Sequence, residues 1–332
     1  MNMAWHVLLK LFLLLVIAGA TAWGVLALQF QAQAGAGRMV AMALWGVAAL
    51  FSLYALGKGN GWLALPQALG LLALLVWWHG IAPSNGRLWA SDVDRVSYGQ
   101  IQGSVVTLHN VRDFVWRSET DFDERWQTRQ YDLDRLVSVD MFLSYWMGPA
   151  IAHTLVSFGF DDGRHVSFSV EIRKERHEEF SAIGGFFKQF EMALIAAEES
   201  DIIRTRTNAR GEDVYLYSVA LPKPAMQALF LSYVQQGNEL RDSPRFYNTL
   251  TANCTTIVYD MMSHIVEGLP WDWRILASGY LPEYVFAQGA LAPGHTLDEL
   301  RRLGHVNERA LAQQDGEDFS LLIRRGVPVV KG

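Results

Sequence analysis

The first 80 residues contain no Asp or Glu, and this absence constrains the fold more than any other feature of the sequence. The only Lys and Arg residues in this segment are Lys10, Arg38 and Lys58. Three apolar runs fill most of the segment: Leu11 to Phe30, Met39 to Leu56 and Trp62 to Trp78. An apolar run of about 20 residues is long enough to cross the hydrocarbon of a bilayer as a helix. The sequence therefore predicts three transmembrane helices within residues 1–80.

The positive charges that flank these runs predict their orientation, because Lys and Arg are enriched on the cytoplasmic side of a membrane. If all three helices span the membrane, Lys10 and Lys58 lie on one side, and Arg38 and Arg87 lie on the other. We expect the amino terminus in the cytoplasm and residues 81–332 outside it. This is the topology of a multi-pass membrane protein with its soluble part on the exported side.

A cleaved signal peptide is the alternative for the first apolar run. Residues 32–34, Ala-Gln-Ala, have the small-x-small pattern of a cleavage site, so removal of residues 1–34 stays open. The two remaining helices would still return the chain to the exported side. Both alternatives therefore place the soluble part on the exported side.

Residues 81–332 have the composition of a soluble acidic domain. They hold 25 of the 28 basic residues and all 34 acidic residues, which argues against a nucleic-acid-binding protein. Strand-like and helix-like patterns are mixed, which predicts an α+β domain with a helical tail. Two apolar strands, 151–160 and 165–173, flank the turn sequence Asp-Asp-Gly-Arg at 161–164, a strong hairpin signal. Helices are predicted at 186–199, 225–240 and 255–266.

Cys254 is the only cysteine, and its surroundings favour a reactive thiol. Thr251 and Asn253 are good N-cap residues, and the helical pattern begins at Thr255. The N-terminus of a helix favours a thiolate, and its backbone N–H groups could receive an oxyanion. We therefore place Asn253 and Thr255 at the oxyanion position or directly behind it. A buried structural cysteine is the alternative.

A thiol nucleophile needs a general base, and His153 is the best candidate. It lies within an apolar strand instead of a polar loop. If the hairpin turns at Asp162 and Gly163, Glu171 faces His153 across the ladder and could orient its imidazole. A core role for His153 and an exposed Glu171 stay open as alternatives.

A metal site is a further alternative for the histidines of this hairpin. Its ligands would be His153, His165, Glu171 and His177. The spacings of these residues match no zinc pattern. We therefore expect neither a metal nor another cofactor.

Six segments of the soluble part together resemble the Lnb N-terminal periplasmic domain family, which takes its name from a bacterial lipoprotein N-acyltransferase. They are His-Asn-Val-Arg-Asp-Phe at 109–114, Tyr-Asp-Leu-Asp-Arg-Leu at 131–136, Ala-His-Thr-Leu at 152–155, Ser-Val-Glu-Ile-Arg at 169–173, Val-Tyr-Leu-Tyr at 214–217 and Tyr-Asn-Thr-Leu-Thr-Ala-Asn-Cys-Thr-Thr at 247–256. The resemblance covers most of residues 92–310. In the named acyltransferase the membrane helices follow the catalytic domain, whereas here they precede it.

The resemblance implies a Cys–His enzyme with a circularly permuted papain-like core of the NlpC type. Cys254 would be the nucleophile and His153 the base. His153 precedes Cys254 by 101 residues, whereas papain-type chains place the cysteine first. Glu171 occupies the position of the orienting carboxylate.

The resemblance also implies a location and an activity. The protein would lie in the bacterial inner membrane with its catalytic domain in the periplasm. It would be a thiol acyltransferase that takes an acyl chain from a phospholipid and passes it to an amine, such as the N-terminus of a lipoprotein. Residues 184–187 and 271–273 are candidates for lipid contact. A periplasmic cysteine hydrolase with the same dyad is the first alternative, acting as a peptidase, amidase or lipase. A non-enzymatic envelope assembly factor is the second alternative.

Overall fold

The computed structural model describes residues 3–314 and 316–330, and it divides into two compact units. The first unit comprises Met1–Ser84 together with Phe180–Gln189. The second unit comprises Asn85–Glu179 and Phe190–Gly332.

The first unit contains three helices that are long and apolar enough to cross a membrane. Their bounds are α1 Met3–Gln31, α2 Ala36–Lys58 and α3 Leu65–Gly80. Thr21 of α1 connects them, because its hydroxyl accepts from the Gln67 side chain at 2.9 Å and its carbonyl accepts from the Trp45 indole at 3.0 Å. Such hydrogen bonds are typical of packed helices in lipid, where no water can satisfy the polar groups. The three predicted apolar helices are confirmed.

Residues 180–189 pack on the carboxyl-terminal ends of α1 and α3. The Phe187 ring lies 5.8 Å from that of Phe30 and 6.1 Å from that of Trp78. Lys188 donates to the Trp78 carbonyl at 2.8 Å. The exposed apolar side chains of the loop are those of Phe180, Ile183 and Phe186. Aromatic residues at helix ends are typical of the membrane–water interface, so lipid contact at 184–187 stays a prediction.

The strands of the second unit are β1 Tyr98–Gln102, β2 Val105–Arg112, β3 Val115–Trp116, β4 Phe122–Asp123, β5 Trp126–Asp132, β6 Leu136–Tyr145, β7 Ala152–Phe160, β8 His165–Arg173, β9 Glu191–Ala197 and β10 Asp213–Val219. Eight of them form one sheet in the order β1-β2-β9-β8-β7-β6-β10, with β5 also paired to β2. Only the β2–β9 pair is parallel among the described strand pairs. The small β3–β4 hairpin stands apart from the main sheet.

Seven helices complete this unit in the described part of the chain. They are α4 Glu199–Arg204, α5 Lys223–Asp242, α6 Cys254–Ile265, α7 Leu281–Ala287, α8 Leu297–Gly304, α9 Asn307–Leu311 and α10 Phe319–Ile323. A π-helical turn, Thr205–Ala209, follows α4 directly. The predicted α+β class is confirmed. A permuted papain-like topology stays a prediction.

Aromatic packing holds α5 against the sheet. Phe230 and Tyr233 of α5 are almost fully buried. The Phe230 ring lies 5.0 Å from that of Phe158, and the Tyr233 ring stacks on Phe168 at 4.8 Å. Large buried rings contribute most of the apolar area of such a core. This packing fixes the middle of β7 and β8, the two strands that carry the candidate site.

The β7–β8 hairpin confirms the turn prediction. Gly163 has a φ of +85°, a left-handed conformation that glycine adopts without strain. The ladder places Leu155 opposite Ser169, which is the register predicted from the Asp-Gly turn.

The helix predicted at 186–199 is wrong. Residues 191–197 form β9, which lies between β2 and β8 and is buried along its whole length. Strands that are covered on both faces lack the alternation of polar and apolar residues that reveals a strand in a sequence. The Ala, Leu, Met and Glu residues of this run favour helix locally, and tertiary pairing overrides that preference.

Candidate active site

Cys254 is the first residue of α6, and the cap of this helix fixes its position. The Asn253 side chain accepts hydrogen bonds from the backbone N–H groups of Thr255 and Thr256, both at 2.9 Å. In return the Thr256 hydroxyl accepts from the Asn253 N–H at 2.9 Å, which completes a capping box. Asn253 also donates to the Thr249 carbonyl at 2.8 Å. The Cys254 side chain is therefore held at a rigid helix start, and the residue is only 6% exposed.

His153 and Glu171 stand where β7 and β8 separate. The ladder between these strands ends at Leu155 and Ser169, although β7 begins at Ala152. In the space beyond, His153 Nε2 lies 3.1 Å from Glu171 Oε1 and 2.6 Å from Ser169 Oγ. The Ser169 hydroxyl in turn donates to Glu171 at 2.7 Å. One ring nitrogen of His153 is thus held by a serine and a carboxylate together.

A buried arginine supports the carboxylate from behind. Arg206 donates to Glu171 at 2.9 Å and to Glu212 at 3.0 Å. Glu212 also accepts from the Ser144 hydroxyl. Arg206 belongs to the π-helical turn, a feature that occurs frequently at functional sites. The network leaves Glu171 with fixed partners on both sides.

Two threonines connect the strand of the histidine to the helix of the cysteine. Thr154 Oγ1 lies 3.1 Å from Thr255 Oγ1, and Thr255 Oγ1 lies 3.9 Å from Cys254 Sγ. Both threonine residues are 1% exposed. Thr154 directly follows His153, and Thr255 directly follows Cys254. The contact between the threonines therefore holds the His153 and Cys254 side chains at a fixed separation.

The electrostatic environment favours a charged thiol–imidazole pair. Burial raises the pKa of Cys254, but the His153 charge and hydrogen bonds from His153, Thr154 and Thr255 outweigh it and lower that pKa. Burial and Arg206 lower the pKa of His153, but Glu171 and Cys254 outweigh them and raise it to about 9. Both shifts favour thiolate and imidazolium.

The carboxylate of this group stays ionised. Burial raises the pKa of Glu171, but the charges of His153 and Arg206 hold it well below its usual range. The ionised Glu171 stabilises the charged form of His153, because an opposite charge nearby favours the protonated imidazole.

The metal alternative finds no support in the described residues. His165 Nδ1 pairs with the Gly163 carbonyl at 3.0 Å, and His177 is exposed. Neither joins His153 and Glu171, and no group of three or more His, Cys, Asp or Glu residues in residues 3–314 and 316–330 could hold a metal ion.

The structure changes the expected source of an oxyanion site. The Thr255 N–H is occupied by the Asn253 cap, so these two residues position the helix and offer no free donor. Burial and the charges of Cys254 and Glu171 raise the pKa of Tyr247, and a hydrogen bond between its hydroxyl and the Cys254 backbone opposes that rise. The Tyr247 hydroxyl is therefore a candidate donor to an oxyanion at Cys254.

Sequence reasoning missed six residues of this arrangement: Ser144, Thr154, Ser169, Arg206, Glu212 and Tyr247. Thr154, Ser169 and Tyr247 lie inside the segments 152–155, 169–173 and 247–256, so a closer analysis of those segments could have found them. Ser144, Arg206 and Glu212 have no local signal, because only the folded chain brings them to the site.

Comparison with known proteins identifies the domain that carries this geometry. Residues 122–279 match the family model of the Lnb N-terminal periplasmic domain. This is the family that the six sequence segments resemble, so the resemblance is confirmed over residues 122–279. The match contains His153, Glu171 and Cys254, and it is narrower than the resemblance at 92–310, because the segment 109–114 lies outside it. A search of curated proteins and a search of solved structures each gave no match.

The family and the apolar helices together fit an inner-membrane protein with a periplasmic domain. Near the end of the Lnb N-terminal domain, the Trp271 side chain is 64% exposed and that of Trp273 is 56% exposed. These two rings are therefore not core residues. Their contact with lipid stays a prediction.

Proposed function

We propose that this protein is a periplasmic thiol acyltransferase of the inner membrane that uses Cys254 as its nucleophile. The observation that carries the proposal is the set of contacts around His153. Its Nε2 is held by Ser169 and Glu171, which leaves Nδ1 as the ring nitrogen for the thiol of Cys254. A nucleophile, a base and a group that orients the base are the three parts of a Cys–His enzyme.

The first half-reaction forms a thioester. The Cys254 thiolate attacks the ester carbonyl of a phospholipid, and negative charge moves to the carbonyl oxygen. The Tyr247 hydroxyl donates to this oxygen, a contribution of about 3 kcal/mol for such a donor in known enzymes. The C–O bond to glycerol then breaks, and His153 gives its proton to the departing lysophospholipid oxygen.

The second half-reaction transfers the acyl chain. A primary amine attacks the thioester carbonyl, and His153 Nδ1 takes the proton that the amine loses. The C–S bond breaks and returns the Cys254 thiolate, so the product is an amide and the enzyme regains its first state. The N-terminal amine of a lipoprotein is a suitable acceptor because it lies at the same membrane surface.

The three apolar helices support the membrane part of the proposal. We expect three spans with residues 81–332 in the periplasm, since Lys10 and Lys58 then lie together in the cytoplasm. A phosphatase reporter fused after Gly86 is expected to be active, and a reporter fused within residues 32–35 is expected to be active as well. A reporter after Gly59 serves as the cytoplasmic control. If the Gly86 fusion is as inactive as the cytoplasmic control, the result contradicts both the predicted topology and the proposed access of the domain to phospholipid on the periplasmic side.

Separating transfer from hydrolysis tests the activity. The purified full chain is incubated with a phospholipid that carries a labelled acyl chain, with and without a diacylglyceryl-cysteine peptide. We expect the label to appear in an amide of the peptide, at a rate at least tenfold above the release of free fatty acid. Cys254→Ala is the matched control.

Equal release of fatty acid with and without the peptide would make the protein a hydrolase. If neither product forms, and if cells show a defect only when the whole protein is removed, the result favours a non-enzymatic assembly factor. Mass spectrometry of lipoproteins from cells that lack the protein gives the matching result in vivo.

A further inference from the structure

An apolar cavity of about 110 Å³ adjoins the Cys254 site. It lies between strands β6, β7 and β10 on one side and helices α5, α6 and α7 on the other. Thr154 and Thr255 form part of its wall. Cys254 does not line the cavity, but Thr255 Oγ1 lies 3.9 Å from Cys254 Sγ, so the threonine end of the cavity is near the sulfur.

The wall of the cavity offers almost nothing to a polar ligand. Among the 17 lining residues, 12 are aliphatic residues or methionines, and none is charged within the described part of the chain. The two threonine hydroxyls contact each other. The hydroxyls of Tyr259 and Tyr284 donate to the carbonyls of Leu269 and Pro270 at 3.2 and 2.8 Å. Their hydrogen-bonding capacity is thus used within the wall, and a sugar or a peptide would lose its contacts with water there.

Gln288 is the exception to the apolar character of the cavity wall. It is exposed, so it marks the side where the cavity meets the surface. The cavity therefore has one end at the threonine pair next to Cys254 and one end at solvent. A ligand that binds along it is long and apolar, with its reactive carbon at the threonine end.

The size of the cavity fits the first part of an aliphatic chain. Apolar cavities of this order stay dry and take up small hydrocarbons such as benzene. The wall includes Met141 and Met262, and methionine side chains adapt readily to what they contact. The remaining part of a longer chain can extend past Gln288.

We propose that this cavity holds the acyl chain while its carbonyl carbon is bound to Cys254. This inference rests on the proposed function, since it gives a place to the chain of the thioester intermediate. Burial of each methylene is expected to raise kcat/KM roughly fourfold until the cavity is filled. The cavity would thus select fatty acyl donors over acetyl donors.

The test uses chromogenic p-nitrophenyl esters of increasing chain length on the detergent-solubilised full chain. For each variant we compare the ratio of kcat/KM for the dodecanoyl ester to that for the acetyl ester. Val285→Phe fills the cavity, and its ratio is expected to fall at least tenfold. Met262→Ala enlarges the cavity and is expected to move the optimum to longer chains. Val137→Phe makes the same change at a β6 residue that is 43% exposed and does not line the cavity, and it is expected to keep the wild-type ratio.

The outcomes separate the two proposals. If the folded Val285→Phe and Met262→Ala proteins both keep the wild-type ratio while Cys254 is still acylated, the cavity does not bind the chain and the proposed function stands. If the wild-type protein is acylated by no ester of any length, the proposed function fails and the cavity proposal fails with it. Thermal unfolding of each variant identifies any loss of fold.

Discussion

Replacing Cys254 with serine is expected to remove nearly all turnover, a loss of at least about 10³-fold, while the protein stays folded. A hydroxyl is much harder to ionise than a thiol, so the contacts that lower the pKa of Cys254 cannot produce a comparable alkoxide. The change removes little volume, and an unaltered thermal unfolding transition of Cys254→Ser confirms that the fold is retained. Cys254→Ala is expected to remove turnover entirely.

The protonation state of the Cys254 thiol can be measured directly from its reactivity. Since Cys254 is the only cysteine, iodoacetamide labels one site. A thiol with a lowered pKa is expected to react at about pH 6, where a free cysteine with a pKa of about 8.5 is almost fully protonated. The pH dependence of turnover follows with a defined sign: activity is lost as the pH rises through about 9, because His153 then loses the proton that it donates. A thiol that reacts only after denaturation, together with an active serine variant, would end the enzyme hypothesis.

The His153→Ala substitution is expected to reduce turnover by about 10²- to 10⁴-fold, the usual contribution of a general base. Glu171→Gln is expected to cause a smaller loss, since the carboxylate orients the ring and stabilises its charge without moving the proton. Glu171 raises the pKa of His153, so its loss is expected to move the alkaline limb of the pH profile below 9. A merely structural role for Glu171 would change the rate without moving that limb.

His165→Ala is the matched control for the histidine substitution. His165 lies on the same hairpin and bonds the Gly163 carbonyl, without contact to Glu171 among the described hydrogen bonds. Its loss is expected to leave turnover within a factor of about two. Equal damage from both histidine variants, combined with inhibition by a chelator, would favour the metal alternative over the dyad.

The features that the sequence predicts correctly have strong local causes. The turn at Asp162 and Gly163 specifies the β7–β8 register, and this register brings Glu171 to His153. Asn253 caps α6 and thereby places Cys254 at the first position of that helix. In both cases a few consecutive residues determine the geometry. The apolar helices are predicted for a similar reason, since their composition alone excludes an aqueous surface.

The features that sequence reasoning misses depend on contacts between distant segments. Residues 191–197 favour helix locally, yet they form a strand because β2 and β8 lie on either side of them. Arg206 reaches Glu171 from a π-helical turn 35 residues later, and no pattern near Arg206 indicates this contact. The apolar cavity likewise joins strands and helices from Val139 to Ala290. Local propensity cannot encode such arrangements, because they exist only once the sheet has formed.

A trapped acyl group on Cys254 tests the central claim most directly. The purified full chain is mixed with a phospholipid in the absence of any amine acceptor, quenched in acid and digested, and the peptide that contains Cys254 is measured by mass spectrometry. We predict that this peptide carries the acyl chain of the donor, that hydroxylamine removes it, and that His153→Ala does not form it. If product forms while the Cys254 peptide stays unmodified at every time point, the reaction does not pass through the thiol and Cys254 is not the nucleophile.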